Sequence, residues 1–201
     1  MPSDTELGPR ASAMKVADMT LAPLASVPFW YLRHGETDWN ARGVSQGSID
    51  IPLNPTGVAQ ARAAAEQLRN RGIKTIVASP LSRARVTAEI VAEVLGLPVL
   101  IDPDLKEVNW GVQEGQPMAE WFADWVGGGL APQGGETFAE LHQRAIVGLN
   151  RSLVHPSAVL IVAHGALFRA IRAGMGIEAN RRTQNGVPMW CAPSADGWTI
   201  N

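Results

Sequence analysis

Arg33 and His34 stand side by side at the end of the apolar run VPFWYLR (27–33), and Gly35 follows. Two such side chains repel one another unless an anion lies between them. Two other apolar runs end in residues of the same kind. TIVAS (75–79) leads through Pro80 to Arg83, and AVLIVA (158–163) leads to His164 and Gly165. In an open α/β sheet, ligands bind beyond the carboxyl ends of the strands. If the three runs are neighbouring strands, two arginines and two histidines meet at one point. That set suits a dianion with a nucleophilic imidazole beside it. Free N–H groups in the first turns of the following helices favour the same charge.

The elements that must position these residues follow from periodicity. VPFWYLR, TIVAS, PVLI (98–101) and AVLIVA are short apolar runs that read as buried strands. Asn54-Pro55 and Ser79-Pro80 each read as a helix N-cap followed by proline at the first helical position. After the first, Val58, Ala61, Ala65 and Leu68 step at helical spacing to about Arg71, and Gly72 ends the helix. After the second, Leu81, Val86, Ile90, Val91 and Val94 carry a helix to Gly96. Residues 103–135 break the alternation, with a short apolar helix expected around Met118 to Val126 and five glycines nearby. A helix is expected from about Glu136 to Leu153, another in ALFRAIRAGMG (166–176), and two short strands around Ala195-Asp196-Gly197. This alternation predicts an α/β three-layer sandwich: a mostly parallel sheet of about six strands with helices on both faces.

Length and charge narrow the function. The 201 residues suit one domain (27–201) preceded by a leader (1–26) with little regular structure. A net charge of −2 argues against bulk binding to nucleic acid or an anionic membrane. No apolar run is long enough to span a bilayer. The leader carries Asp4, Glu6 and Asp18 against Arg10 and Lys15, which speaks against a signal or transit peptide. The single cysteine, Cys191, allows no internal disulfide and no Cys-rich zinc site, and a cytoplasmic setting is the simplest expectation.

Six blocks, LRHGETDWN, DIPLNPTGVAQA, SPLSRARVTA, LKEVNWGVQEG, GGET and VAHG, resemble in order and interval those of the histidine phosphatase superfamily, in the branch shared with cofactor-dependent phosphoglycerate mutases. The resemblance runs from residue 27 to about 200. It implies a phosphomonoesterase that works through phosphohistidine without a metal or other cofactor. His34 would attack phosphorus, and Arg33 and Arg83 would keep its ring neutral and bind phosphoryl oxygens. Asn40 would add a hydrogen bond, and His164, protonated, would complete the phosphate cage. Glu107 would protonate the leaving oxygen and then take a proton from water. The implied partner is a small phosphorylated molecule, with a homodimer also open.

The chain departs from the family pattern at Val44, where an arginine is common; whether Arg42, two residues earlier, replaces it is left open by the sequence. The interval from Glu107 to Glu136 is short and the chain stops at Asn201, so a site more open to water is expected, favouring hydrolysis over mutase-type phosphotransfer. A phosphate-binding protein without catalysis is the reading from another class. Glu114 competes with Glu107 as the acid. Trp110, Met118, Trp121, Phe122 and Trp125 read equally as a lid over the leaving group or as packing of a short helix. The segment 108–135 is expected to recognise the leaving group. GVSQG (43–47) matches the serine-hydrolase pattern, but polar loop precedes it and no helix follows at once, so it reads as a chance match. His142 and His155 read as structural or exposed.

Overall fold

A computed structural model describes residues 23–201. Its sheet has the strand order β3-β2-β4-β1-β5-β6. The strands are β1 (Phe29–Arg33), β2 (Thr75–Ala78), β3 (Val99–Ile101), β4 (Val159–Ala163), β5 (Pro188–Ser194) and β6 (Gly197–Ile200). The first four are mutually parallel, whereas β5 and β6 run antiparallel at one edge. The helices are α1 (Asp38–Ala41), α2 (Pro55–Leu68), α3 (Ser82–Leu95), α4 (Trp121–Val126), α5 (Phe138–Ser152) and α6 (Gly165–Gly174). Among the described residues no helix is long and apolar enough to cross a membrane.

Alternate residues of the central strands feed two separate cores, because side chains on a strand point to opposite faces in turn. Leu32, Ile76, Ala78, Leu160 and Val162 pack with Ala64, Leu68, Ala88 and Val91 of α2 and α3. Tyr31, Val77, Val159, Ile161 and Ala163 pack with Leu141, Leu149, Leu167 and Phe168 of α5 and α6. Both faces are therefore covered, which is why these strands read as continuous apolar runs.

The strand register brings the chemistry together. Arg33 lies opposite Ala163, and Ala78 opposite Val162. The next residue of each strand continues the ladder: His34 N–H donates to the Ala163 carbonyl and Ser79 N–H to that of Val162, each at 3.0 Å. His34, Ser79 and His164 thus leave the sheet at one level.

Three local expectations need correction. The helix after Asn54 ends at Leu68, with Arg69 as its C-cap, and Gly72 turns the chain separately at φ +70°. Ser79-Pro80 is not a cap: α3 begins at Ser82 with Leu81 as its N-cap, while the Ser79 hydroxyl turns back toward His164. The short apolar helix begins at Trp121, not at Met118. Of the expected leader, residues 1–22 lie outside the described residues. Residues 23–25 are tied down by Asn150, which donates to the Pro23 carbonyl and accepts from Ala25 N–H.

Candidate active site

His34 is buried at the base of a cleft of about 370 Å³. Its Nδ1 lies 2.7 Å from the Gly35 carbonyl oxygen. A carbonyl only accepts, so Nδ1 carries the proton and Nε2 keeps its lone pair. Burial, then Arg83, then Arg33 hold the ring well below the usual histidine range, so it is neutral near pH 7. That is the state a nucleophilic imidazole needs. The loop carrying it is seated against α2 without clearance: a Cβ on Gly35 would collide with the Gly57 carbonyl, and one on Gly57 with the Glu36 carbonyl.

Arg83 is buried and held by the carbonyls of Ile49 and Gly47 at 2.8 and 2.7 Å. Arg33 donates to the Thr183 carbonyl at 2.6 Å. Both line the cleft, and the Nε atom of each is buried without a partner. A buried guanidinium N–H without a partner is costly, and an anion in the cleft would supply one. Burial pulls the Arg33 pKa down to about 10; Glu107 opposes this, while Arg169 and Arg182 add to it.

Asn40 lies in α1, whose N-terminus is a reciprocal cap with Thr37. Its Oδ1 accepts from Thr37 N–H and from Asn185 Nδ2, so the amide nitrogen is the end left to face a ligand. Glu107 also lines the cleft. Its oxygens accept from the N–H groups of Ala166 and Leu167 in the first turn of α6, at 3.0 and 2.9 Å. Arg144 fixes the loop behind it, donating to the carbonyls of Asp104, Lys106 and Glu107 while paired with Glu136. The competing Glu114 is engaged elsewhere: it accepts from Ser48 N–H, Ser48 Oγ and Trp110 N–H.

The structure therefore brings Arg33, His34, Asn40, Arg83 and Glu107 to one cleft. His164 lies behind it rather than on its wall. The ring is fully buried, its centroid is 5.2 Å from that of His34, and its Nε2 is 2.7 Å from Ser79 Oγ. Burial, Arg83, His34 and Arg33 hold it well below the usual histidine range. Tyr31 clamps its backbone, donating to the His164 carbonyl and accepting from its N–H.

Arg42 does not replace the arginine missing at Val44. It is exposed, turned to the Asp38 carbonyl, and absent from the cleft wall. Arg169 of α6 and Arg182 of the loop before β5 enter the cleft instead. Sequence reasoning missed both, together with Asn185 and Tyr31. Arg169 follows Gly165 at helical spacing and was findable; Arg182 and Asn185 sit in a loop with no pattern. The aromatic cluster splits between its two readings. Trp125 is core, while Trp110, buried with its ring centroid 4.5 Å from that of Trp125, also lines the cleft together with Met118 and Phe122. Ser45 of GVSQG sits in the loop between α1 and α2, its Oγ against Met118 Sδ, away from any strand-to-helix turn.

Comparison with known proteins adds independent findings. The family model described as histidine phosphatase superfamily (branch 1) matches residues 29–191. A protein of Bacillus subtilis (strain 168), the uncharacterized phosphatase PhoE, is 44% identical over 142 residues, 70% of this chain and 72% of that one. The probable phosphoglycerate mutase GpmB of Yersinia pestis (strain Pestoides F) is 36% identical over 167 residues, 76% of this chain and 78% of the other. The mycobacterial glucosyl-3-phosphoglycerate phosphatase Rv2419c, solved with VO3, superposes with a TM-score of 0.71 at 30% identity, covering 87% of this chain and 97% of that one.

Proposed function

Since the chain belongs to the histidine phosphatase superfamily, branch 1, we propose that it hydrolyses phosphomonoesters of small molecules through a phosphohistidine on His34. The observation that carries this reading is the His34 ring. It is locked in one tautomer by the Gly35 carbonyl, kept neutral, and flanked by buried Arg83 and half-buried Arg33, whose Nε atoms have no partner. In the first step Nε2 attacks phosphorus in line while the bond to the leaving oxygen breaks. Arg33, Arg83 and the Asn40 amide bind the three non-bridging oxygens and offset charge in the transition state. Glu107 is the group placed to give a proton to the leaving oxygen. In the second step Glu107 takes a proton from water, which attacks the phosphohistidine and frees phosphate. His164 supports the nucleophile from behind; a phosphoryl dianion beside it opposes the arginines and favours its protonation.

The likeness to GpmB supports a second reading, return of the phosphoryl group from His34 to an acceptor hydroxyl rather than to water. The test is phosphate release from a panel of phosphorylated metabolites with EDTA present, coupled to rapid-quench trapping of 32P on the protein. Steady release and acid-labile label, both lost in His34→Ala, are expected. Label that persists in His34→Ala overturns the assignment. Phosphoglycerate interconversion without phosphate release selects the mutase reading.

A further inference from the structure

The loop between α6 and β5, residues 175–187, borders two cavities. The first is the catalytic cleft, which it reaches with Arg182 and Asn185. The second has a volume of about 540 Å³ and shares only Arg182 with the cleft. Its wall includes Arg172 of α6, Arg181 of the loop, and the apolar Val187, Met189 and Trp198. Arg172 is only 7% exposed, yet among the described residues its guanidinium makes a single hydrogen bond, from Nε to the Glu178 carbonyl at 2.7 Å. A guanidinium carries five N–H donors, so most of them are left over. Burying a cation is costly unless it is paired. Glu178 is the acid to weigh, because it lines the same cavity and its charge favours the Arg172 cation. It is exposed, however, and it gives Arg172 a main-chain oxygen; no carboxylate lies within ion-pair distance of either Arg172 or Arg181 among the described residues. Burial and then Arg181 pull the Arg172 pKa down against the pull of Glu178. Two arginines against one solvated acid leave the cavity cationic.

We propose that this second cavity is a binding site, separate from the catalytic cleft, for a small carboxylate with an apolar body. The carboxylate meets Arg172 and Arg181, whose planar forks match its geometry. Arg172 is already held by α6 and by the Glu178 carbonyl, so little side-chain freedom is lost when the anion arrives. The balance of two arginines against one acid suits a single negative charge better than a dianion. Exposed Val187 and half-buried Met189 and Trp198 offer apolar surface that the body of the ligand would remove from water. Glu178 competes for the same arginines from solvent, where such a pair is weak, so it lowers affinity without closing the site.

The test is calorimetry on the full chain with three probes: hexanoate, acetate, which lacks the apolar body, and hexanol, which lacks the charge. Hexanoate should bind about ten- to a hundredfold tighter than either of the others. Arg181→Ala should weaken hexanoate about two- to fivefold, and Glu178→Gln, which removes the competing acid, should tighten it by a similar factor. Both positions are exposed, and neither lines the catalytic cleft, so hexanoate bound in the cleft would respond to neither change. Arg172→Gln should abolish binding; because Arg172 also holds Glu178, the two exposed variants decide the matter if that protein does not fold. Hexanoate that binds no tighter than hexanol overturns the proposal. So does hexanoate binding that is indifferent to both Arg181→Ala and Glu178→Gln. The measurement reads binding alone, so it decides this site whether or not the protein proves to be a phosphatase.

Discussion

Two histidines buried side by side among arginines should make this protein sensitive to mild acid. Burial is the largest cause of the lowered pKa in both His34 and His164, with Arg83 next in each. In the unfolded chain both rings return to a pKa near 6.5 and take up protons below it; in the folded protein they stay neutral. The unfolded state therefore binds more protons as pH falls, and stability drops from about pH 6.5 downward toward the folded values. Between pH 7 and pH 5 each ring contributes a loss of up to about 2 kcal/mol, so the pair contributes at most about 4 kcal/mol, against a typical total of roughly 5–15 kcal/mol. His142, half-buried and also shifted down by burial, adds in the same direction. Carboxylates with depressed pKa values act below about pH 4.5 and leave this window clear. Urea unfolding at pH 7 and pH 5, followed by tryptophan fluorescence, measures the difference. The control is a protein carrying His34→Asn, which keeps a donor for the Gly35 carbonyl, and His164→Gln, which keeps a polar group near Ser79. Its loss over the same interval should shrink to the His142 share. A parent protein equally stable at both pH values, or a double variant that loses as much as the parent, would refute the reasoning.

Two further outcomes follow from the geometry. Glu107→Gln retains a side chain of the same shape but removes proton transfer, so turnover of alkyl phosphates should fall about 10²–10⁴-fold. Turnover of p-nitrophenyl phosphate, whose leaving group needs little protonation, should fall far less; equal losses in steady-state assays would take Glu107 out of the acid role. Gly57→Ala places a methyl group against the Glu36 carbonyl and should cost about 1–3 kcal/mol by thermal unfolding while pushing the His34 loop from its seat. Full activity together with an unchanged melting temperature would show that this close approach is not required.

The phosphate end of the site was legible in the chain because it rests on local rules. Short apolar runs marked the strands, and the residue after each run had to emerge at a strand end, where α/β proteins bind ligands. Arg33, His34 and Arg83 were therefore readable from position as well as from resemblance. Glu107 and Asn40 were readable only through the resemblance, since one lies in a loop and the other in a four-residue helix. The Ser79-Pro80 misreading has a clear cause: Ser79 Oγ does accept from a backbone N–H two residues on, that of Leu81, but the helix begins only at Ser82, and the same hydroxyl meets the buried His164 ring.

Strand alternation, helix spacing and the order of the elements were determined by the amino-acid sequence alone, because side-chain period and burial are short-range properties of the polymer. The register of β1 against β4 and β2, which sets His34, His164 and Ser79 at one level, was decided only by tertiary structure. So were the withdrawal of His164 behind the cleft, the exclusion of Arg42, and the arrival of Arg169, Arg182 and Asn185 from the C-terminal third. The physical reason is the same throughout. Charge and exposure at a site depend on which distant segments the packing brings within a few ångströms, and no local pattern encodes that distance.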